Sequence, residues 1–356
     1  MKAISLFSGM GGDSLGMVQA GLELVGYSEK EKVFCETHDL NFNPKSCHLL
    51  GRNITDISDE TFEAYREKVN LIFAGFPCQG FSNAGKKDVN DVRNTLFKEF
   101  IRATKLIYPE YIIGENVKGL ITRKDKNDQN YIDVIVSEFE ALGYAVIYKV
   151  MKTEKYGVPQ KRERLIIIGK RKDIVDDKYP LKFPKEINSP VHLKDIVSFD
   201  MTGAIKVEAE DYDMTQIPRE CILTDLTNEE EEQPTTVHPY MRLKVKTRNT
   251  SYDNKVHSNL LSFSKRDSPI HCEIIDIRKP SKTIICSYDH QPRLFVPLKN
   301  KNGYYLRPLL VDELKQIQGF PKDYKMSGNH KQQIIQIGNA APPPLIRSVV
   351  ESLLHL

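Results

Sequence analysis

Gly75-Phe76-Pro77-Cys78-Gln79-Gly80-Phe81-Ser82 follows a strand-like run, Val69 to Ala74. The run breaks at Gly75 and Pro77, so Cys78 falls where a strand gives way to a loop. In an open α/β sheet, ligands bind outside the carboxyl ends of the strands, which sets this cysteine at a cleft. Residues 82–94 are polar and rich in Gly, Lys, Asp and Asn, the composition of a cover rather than of a core segment. A free cysteine is often only a small buried hydrophobe. The meaning of the thiol therefore depends on what else the chain brings to the same cleft.

Other short runs end in the same way. Ala3 to Phe7 leads into Ser8-Gly9-Met10-Gly11-Gly12, and Asp13 to Ala20 reads as a helix stopped by Gly21. Strand, glycine turn and helix bring backbone amides close to a ligand, although any such turn favours glycine. Leu22 to Ser28 reads as a second strand ending at Glu29. A carboxylate there grips a ribose diol in this architecture; among Lys30, Glu31 and Lys32 it also reads as a solvated charge. Arg52 to Ile57 looks like a third strand end, and its Asp56 suits either an adenine amino group or the N-cap of the next segment. An amphipathic stretch opened by Arg93 runs through Ile107, with Leu96, Phe97, Phe100, Ile101 and Leu106 apolar.

Tyr111 to Val117 is an apolar strand that ends in Glu115 and Asn116. Glu115 reads either as a proton-handling carboxylate or as a structural one bonded to a neighbouring loop. Gln160-Lys161-Arg162-Glu163-Arg164 stands directly before the run Leu165 to Gly169. Basic runs are commonly solvated faces, but beside a buried strand at least one arginine should point inward.

At 356 residues the chain suits one large or two modest domains. Its six cysteines show no CxxC pair and no metal-ligand spacing, so they read as reduced thiols and no metal is expected. No apolar run approaches the ~20 residues of a membrane span, and the start is too short for a signal peptide. The net charge of +3 names no partner. Beyond about residue 185 the composition changes. Lys206 to Glu232 is acidic and Gln233 to Arg266 is basic, a segregation that would repel DNA on one face and attract it on another.

Taken in order, Phe7 to Gly12, Gly75 to Gln79, Glu115-Asn116-Val117, Gln160 to Arg164, Gln318-Gly319-Phe320-Pro321 and Gln336-Ile337-Gly338-Asn339-Ala340 closely resemble six motifs of the DNA (cytosine-5) methyltransferases of restriction–modification type. The resemblance covers about residues 1–185 and 276–356. It implies an α/β fold, a Rossmann-like S-adenosylmethionine-dependent methyltransferase core with a smaller inserted target-recognition domain. Residues 1–185 and 305–356 would form the catalytic and cofactor domain, and 186–304 the recognition domain and hinge.

The implied reaction is methyl transfer to C5 of a flipped-out cytosine in duplex DNA. The chemistry calls for these residue types. Cytosine C5 is a poor nucleophile until a thiolate adds at C6, and a cysteine both attacks and leaves well. The resemblance gives that role to Cys78 and the ring N3 to Glu115; Arg164 would bind the cytosine O2 and Arg162 would help position the substrate. For S-adenosylmethionine it implies Phe7, Gly9, Gly11, Glu29, Asp56, Ile57 and Pro77, with Leu96, Asn339 and Ala341 closing the pocket. For DNA it implies Gln79, Ser82 and Arg93 on the loop, while Arg242, Lys244 and Arg248 are candidates from the basic segment. Lys30, Asn94 after Arg93, and the proline run 342–344 depart from the family pattern. Double-stranded DNA is the expected partner of a monomer in the bacterial cytoplasm or wherever host or viral DNA resides, with a separate restriction endonuclease as a further partner. An RNA (tRNA) cytosine-5 methyltransferase and a catalytically silent DNA-binding relative are the alternatives.

Overall fold

The computed structural model describes residues 1–77, 96–125, 128–175, 180–187, 191–209, 212–227, 243–246, 260–263, 273–289 and 292–355. In chain order the strands are β1 (Lys2–Leu6), β2 (Glu23–Ser28), β3 (His48–Gly51), β4 (Leu71–Ala74), β5 (Tyr111–Val117), β6 (Tyr144–Lys152), β7 (Gln160–Lys161) and β8 (Glu163–Arg171). Then come β9 (Ile205–Val207), β10 (Leu223–Thr224), β11 (Leu243–Lys246), β12 (Leu260–Phe263), β13 (Glu273–Ile274), β14 (Ser281–Lys282), β15 (Leu294–Asn300) and β16 (Gly303–Pro308). The helices are α1 (Gly12–Gln19), α2 (Lys32–Asn41), α3 (Asp59–Glu63), α4 (Phe97–Ile107), α5 (Tyr131–Ala141), α6 (Val311–Ile317), α7 (His330–Asn339) and α8 (Pro343–Leu354).

A seven-stranded sheet runs β3-β2-β1-β4-β5-β8-β6. β1 pairs in parallel with both β2 and β4, and β4 with β5, while β8 lies antiparallel between β5 and β6. The strand order therefore reverses at β1, and the crevice at its carboxyl end is where such sheets take ligands. Period-two alternation sends successive side chains to opposite faces. Ile4, Leu6, Ile72, Ile112 and Ile167 pack with Phe100 and Ile107 of α4 and Ile135 and Phe139 of α5. Ala3, Leu24, Leu71, Phe73, Ile113 and Ile166 pack on the other side with Met17 of α1 and Leu345, Val349 and Leu353 of α8. Sheet and helices thus make the Rossmann-like three-layer core that the sequence implied.

A second core is built around β10-β15-β16-β9, with β13 paired to β15. α6 and α7 belong to this core through Leu314, Ile317, Ile334 and Ile337, and Met10 from the first glycine turn inserts into it. Arg307 of β16 and Glu313 of α6 form a buried two-pronged ion pair here, at 2.8 and 2.7 Å.

One segment read as a strand end begins just after the strand has ended. Residues 52–57 lie beyond β3, and Ile54 to Asp56 form a 3₁₀ turn. Asn53 Nδ2 and Thr55 Oγ1 both donate to Asp56 Oδ1, at 3.0 and 3.1 Å, and these local bonds compete with a strand ladder. Asp56 does not cap the next helix either: Ser58 does, accepting from the Thr61 amide.

Candidate active site

The turn after β1 is shaped by three left-handed residues, Phe7 (φ 57°), Gly9 (φ 57°) and Gly11 (φ 90°). The amide of Gly9 donates to Glu29 Oε2 at 2.8 Å, and the amide of Glu31 to Glu29 Oε1 at 2.8 Å. Glu29 therefore bridges the ends of β1 and β2. Burial pushes its carboxyl above the usual range, and the amides pull the other way. The glycines differ in why they are needed. A side chain on Gly11 would begin 2.7 Å from the Phe42 ring, and one on Gly12 would begin 2.0 Å from the Ala341 carbonyl oxygen. One on Gly9 would meet nothing within 4 Å. Gly11 and Gly12 answer to packing within the protein, whereas Gly9 leaves its backbone open to the crevice.

The other residues implied for this pocket spread over three elements. Phe7 and Leu96 are half-buried against the core that contains Ile57, and Ile57 itself sits under Gly51. Asp56 is exposed. Ala341 is half-buried against Gly12, and Asn339 is exposed at the end of α7.

Beside this turn stands the acid. β5 runs three residues past the end of β4, because Ala74 pairs with Gly114. Glu115 therefore stands next to Gly75, where the chain leaves β4. A side chain at Gly75 would begin 3.6 Å from the Phe7 carbonyl oxygen and 4.0 Å from Glu115 Oε2. Glu115 faces Ile166 across the β5–β8 ladder, and Arg164 lies two residues away on the same face of β8. Arg164 Nε reaches Glu115 Oε1 at 2.7 Å, with each side chain 14% exposed. One carboxylate oxygen is thus held by a guanidinium while the other faces Gly75. Asn116 is buried on the opposite face, and its Nδ2 donates to the Phe76 carbonyl at 3.1 Å. It fixes the backbone two residues before Cys78.

A family description, C-5 cytosine-specific DNA methylase, matches residues 1–355. The chain belongs to this family. It is 31% identical over 362 residues to the type II methyltransferase M1.HphI of Haemophilus parahaemolyticus, covering 99% of this chain and 86% of that one. It is 30% identical to M.FnuDI of Fusobacterium nucleatum, covering 97% and 92%. A crystal structure of a putative DNA modification methyltransferase encoded within an Escherichia coli prophage superposes with a TM-score of 0.61 at 22% identity, over 100% and 99% of the two chains.

In this methylase Arg162 goes elsewhere than its neighbour Arg164. It is 2% exposed and donates to two backbone carbonyls, Ile284 at 3.1 Å and Gly338 at 2.8 Å. Burial and then the nearby Arg164 work against its charge, while Glu115 supports it. The guanidinium therefore joins chain segments. Cys78, Gln79, Ser82, Arg93, Arg242 and Arg248 lie outside the described residues, and Lys244 lies within β11.

Four residues that this geometry brings forward were not singled out by sequence reasoning. Asn116, Gln160 and Gln318 sit inside the quoted motifs, and each is a polar residue next to an apolar strand or helix that ends up buried. Asp13 looked like an ordinary first-turn acid. It is buried, accepts from the Ser5 hydroxyl, and burial pushes its carboxyl up to about 7. On the far side of α1, His38 contacts Ser14 Oγ at 3.1 Å, and burial pushes its imidazole down to about 3.

Proposed function

We propose that this methylase transfers the methyl group of S-adenosylmethionine to C5 of a cytosine flipped out of double-stranded DNA, through a covalent bond between Cys78 Sγ and C6. The observation that carries the reading is the meeting of three strand ends within one crevice. Glu115 lies beside Gly75, three residues before Cys78, and Gly75 in turn lies beside the Phe7–Gly9 turn and its carboxylate, Glu29.

The residues fit the cofactor. The open backbone at Gly9 leaves room for a close approach, and Glu29 offers a partly desolvated carboxylate for a ribose diol. Phe7, Leu96, Ile57 and Pro77 would border the adenosine, Asp56 its amino edge, and Asn339 and Ala341 the far side. When bound, S-adenosylmethionine supplies an electrophilic methyl group. The Cys78 thiolate adds to C6, and the electron pair moves through C5 toward N3. Glu115 holds the proton at N3, and its pairing to Arg164 fixes the carboxylate in the plane where that proton lies. Arg164 also meets the cytosine O2. Once C5 carries the methyl group, loss of its proton to a base expels the thiolate and restores the ring.

Extruding a base costs a few kcal/mol, which contacts to the duplex must offset. We assign those contacts to residues 79–93 and to the recognition domain, 186–304 with its hinge, including Arg242, Lys244 and Arg248. The enzyme would act as a monomer, apart from any restriction endonuclease that cuts the same site. No helix among the described residues is long and apolar enough to cross a membrane.

Bisulfite sequencing of DNA from cells expressing the protein tests this directly, with Cys78→Ser as the control. Protected cytosines at one short motif, present only with the thiol, are expected. Unprotected DNA from cells holding soluble protein that methylates tRNA would overturn the DNA reading.

A further inference from the structure

Gln160 and Arg162 hold the backbone of one residue, Ile284, at its amide and at its carbonyl. The amide of Ile284 donates to Gln160 Oε1 at 2.9 Å, and the carbonyl of Ile284 accepts from Arg162 at 3.1 Å. The same two side chains reach in the other direction to the end of α7 and, through Gln318, to the residues beyond it. Arg162 donates to the Gly338 carbonyl at 2.8 Å. Gln160 Nε2 donates to Gln318 Oε1 at 2.6 Å, and Gln318 Nε2 to the Ala340 carbonyl at 2.5 Å. All three side chains are buried, so these bonds form in a low-dielectric interior where a lost partner is costly.

The two segments so joined also touch directly. A side chain on Gly338 would begin 2.5 Å from the Cys286 nitrogen, so no residue larger than glycine separates them. β14 and β7 add a short parallel pairing, Ser281 with Gln160 and Lys282 with Lys161. The segment after α7 continues through Ala341, whose carbonyl lies against Gly12 of the first turn. The segment 281–286 lies within the residues assigned above to the recognition domain and hinge.

We infer that Gln160, Arg162 and Gln318 form a clamp that couples the cofactor wall at 338–341 to the segment 281–286 of the recognition domain and hinge. The inference rests on the cofactor and recognition reading above and names the positioning residues that join its two halves. Binding on one side orders the carbonyls of Gly338 and Ala340, and the clamp passes that order to the Ile284 peptide. Coupling of this kind is reciprocal, so DNA on the recognition side tightens the cofactor side by the same factor.

Hydrogen exchange with S-adenosylhomocysteine as the probe, without nucleic acid, tests the clamp. In the wild-type protein the probe should slow exchange in residues 7–12, in 338–341 and at Ile284 to Cys286. Arg162→Lys keeps the charge but reaches only one of the two carbonyls. It should retain the slowing in 7–12 and reduce that at Ile284 to Cys286 by about fivefold or more, the lower end of common coupling factors. Gln318→Met, which removes the other route, should act in the same direction and serves if the lysine variant does not fold. Undiminished slowing at Ile284 to Cys286 in both variants, or none there in the wild type, overturns the clamp. Residues 7–12 report cofactor binding itself, and methylation of duplex DNA is read separately. Failure of the clamp is thereby distinguished from failure of the proposed function.

Discussion

Arg162 and Arg164 stand two residues apart and serve opposite ends. Arg164 is half-buried at the crevice and pairs with one oxygen of Glu115, leaving the other oxygen facing Gly75. Arg162 is buried at the junction, and both of its terminal nitrogens bond to backbone. At the crevice, polar groups hold one another and keep capacity for a substrate. At the junction, polar groups are consumed in joining chain segments more than a hundred residues apart. The contrast separates residues that set rate from residues that set stability, and four substitutions probe it.

The largest effect is expected at Glu115. Glu115→Gln keeps the shape but gives up the carboxylate proposed to hold the N3 proton, and the turnover number should fall by about 10²–10⁴. The melting temperature should stay within a few degrees, so a large loss of stability would break the comparison from the crevice side. Arg162→Met should do the reverse. It strips donors from two buried carbonyls, at roughly 1–3 kcal/mol each. Urea unfolding should show the loss as a lower midpoint.

Asp13 sharpens the contrast through pH. Its carboxyl titrates near 7 in the folded protein against 3.8 for the free side chain. The folded state therefore binds the proton more tightly, and stability falls as pH rises from 3.8 to about 7, then levels. Asp13→Asn should remove that slope, about 1.4 kcal/mol per pH unit at most. The variant should gain on the wild type between urea midpoints taken at pH 5 and pH 8. His38 is present in both proteins, so its opposite acid dependence cancels in the difference. A gap that does not widen with pH would remove Asp13 from the titration. The smallest effect is expected at exposed Asp56. Asp56→Ala should weaken S-adenosylhomocysteine binding by about two- to tenfold, the worth of one hydrogen bond, with stability unchanged. Calorimetric titration measures it.

Much of the crevice was legible because strand ends announce themselves. Apolar runs that stop at Gly75, Glu29 and Glu115 became β4, β2 and β5, with Gly75 and Glu29 directly after their strands and Glu115 two residues before the end of β5. Segment 52–57, read as a third strand end, begins just past β3, and its side-chain bonds to Asp56 are local and favour a turn, which apolar patterning does not show. The junction was illegible for a different reason. Gln160 and Gln318 lie 158 positions apart, and a lone glutamine carries no periodic signal to say that it will be buried. Asp13 was hidden likewise, since an acid in the first turn of a helix is ordinary whether or not another layer covers it.

The packing of α8 on α1 has a consequence for how the protein is made. Gly16 has no side chain where Ile346 and the Pro343 carbonyl approach, so the two helices lie in close contact. One face of the first sheet, with Ala3, Leu24, Leu71 and Ile113, is completed by Leu345, Val349 and Leu353. During synthesis the opening strands leave the ribosome long before those residues exist. That face must wait, exposed to chaperones and to neighbouring chains, until residues 345–353 have been translated. Ending the chain before α8 should therefore yield an aggregating product rather than a smaller enzyme.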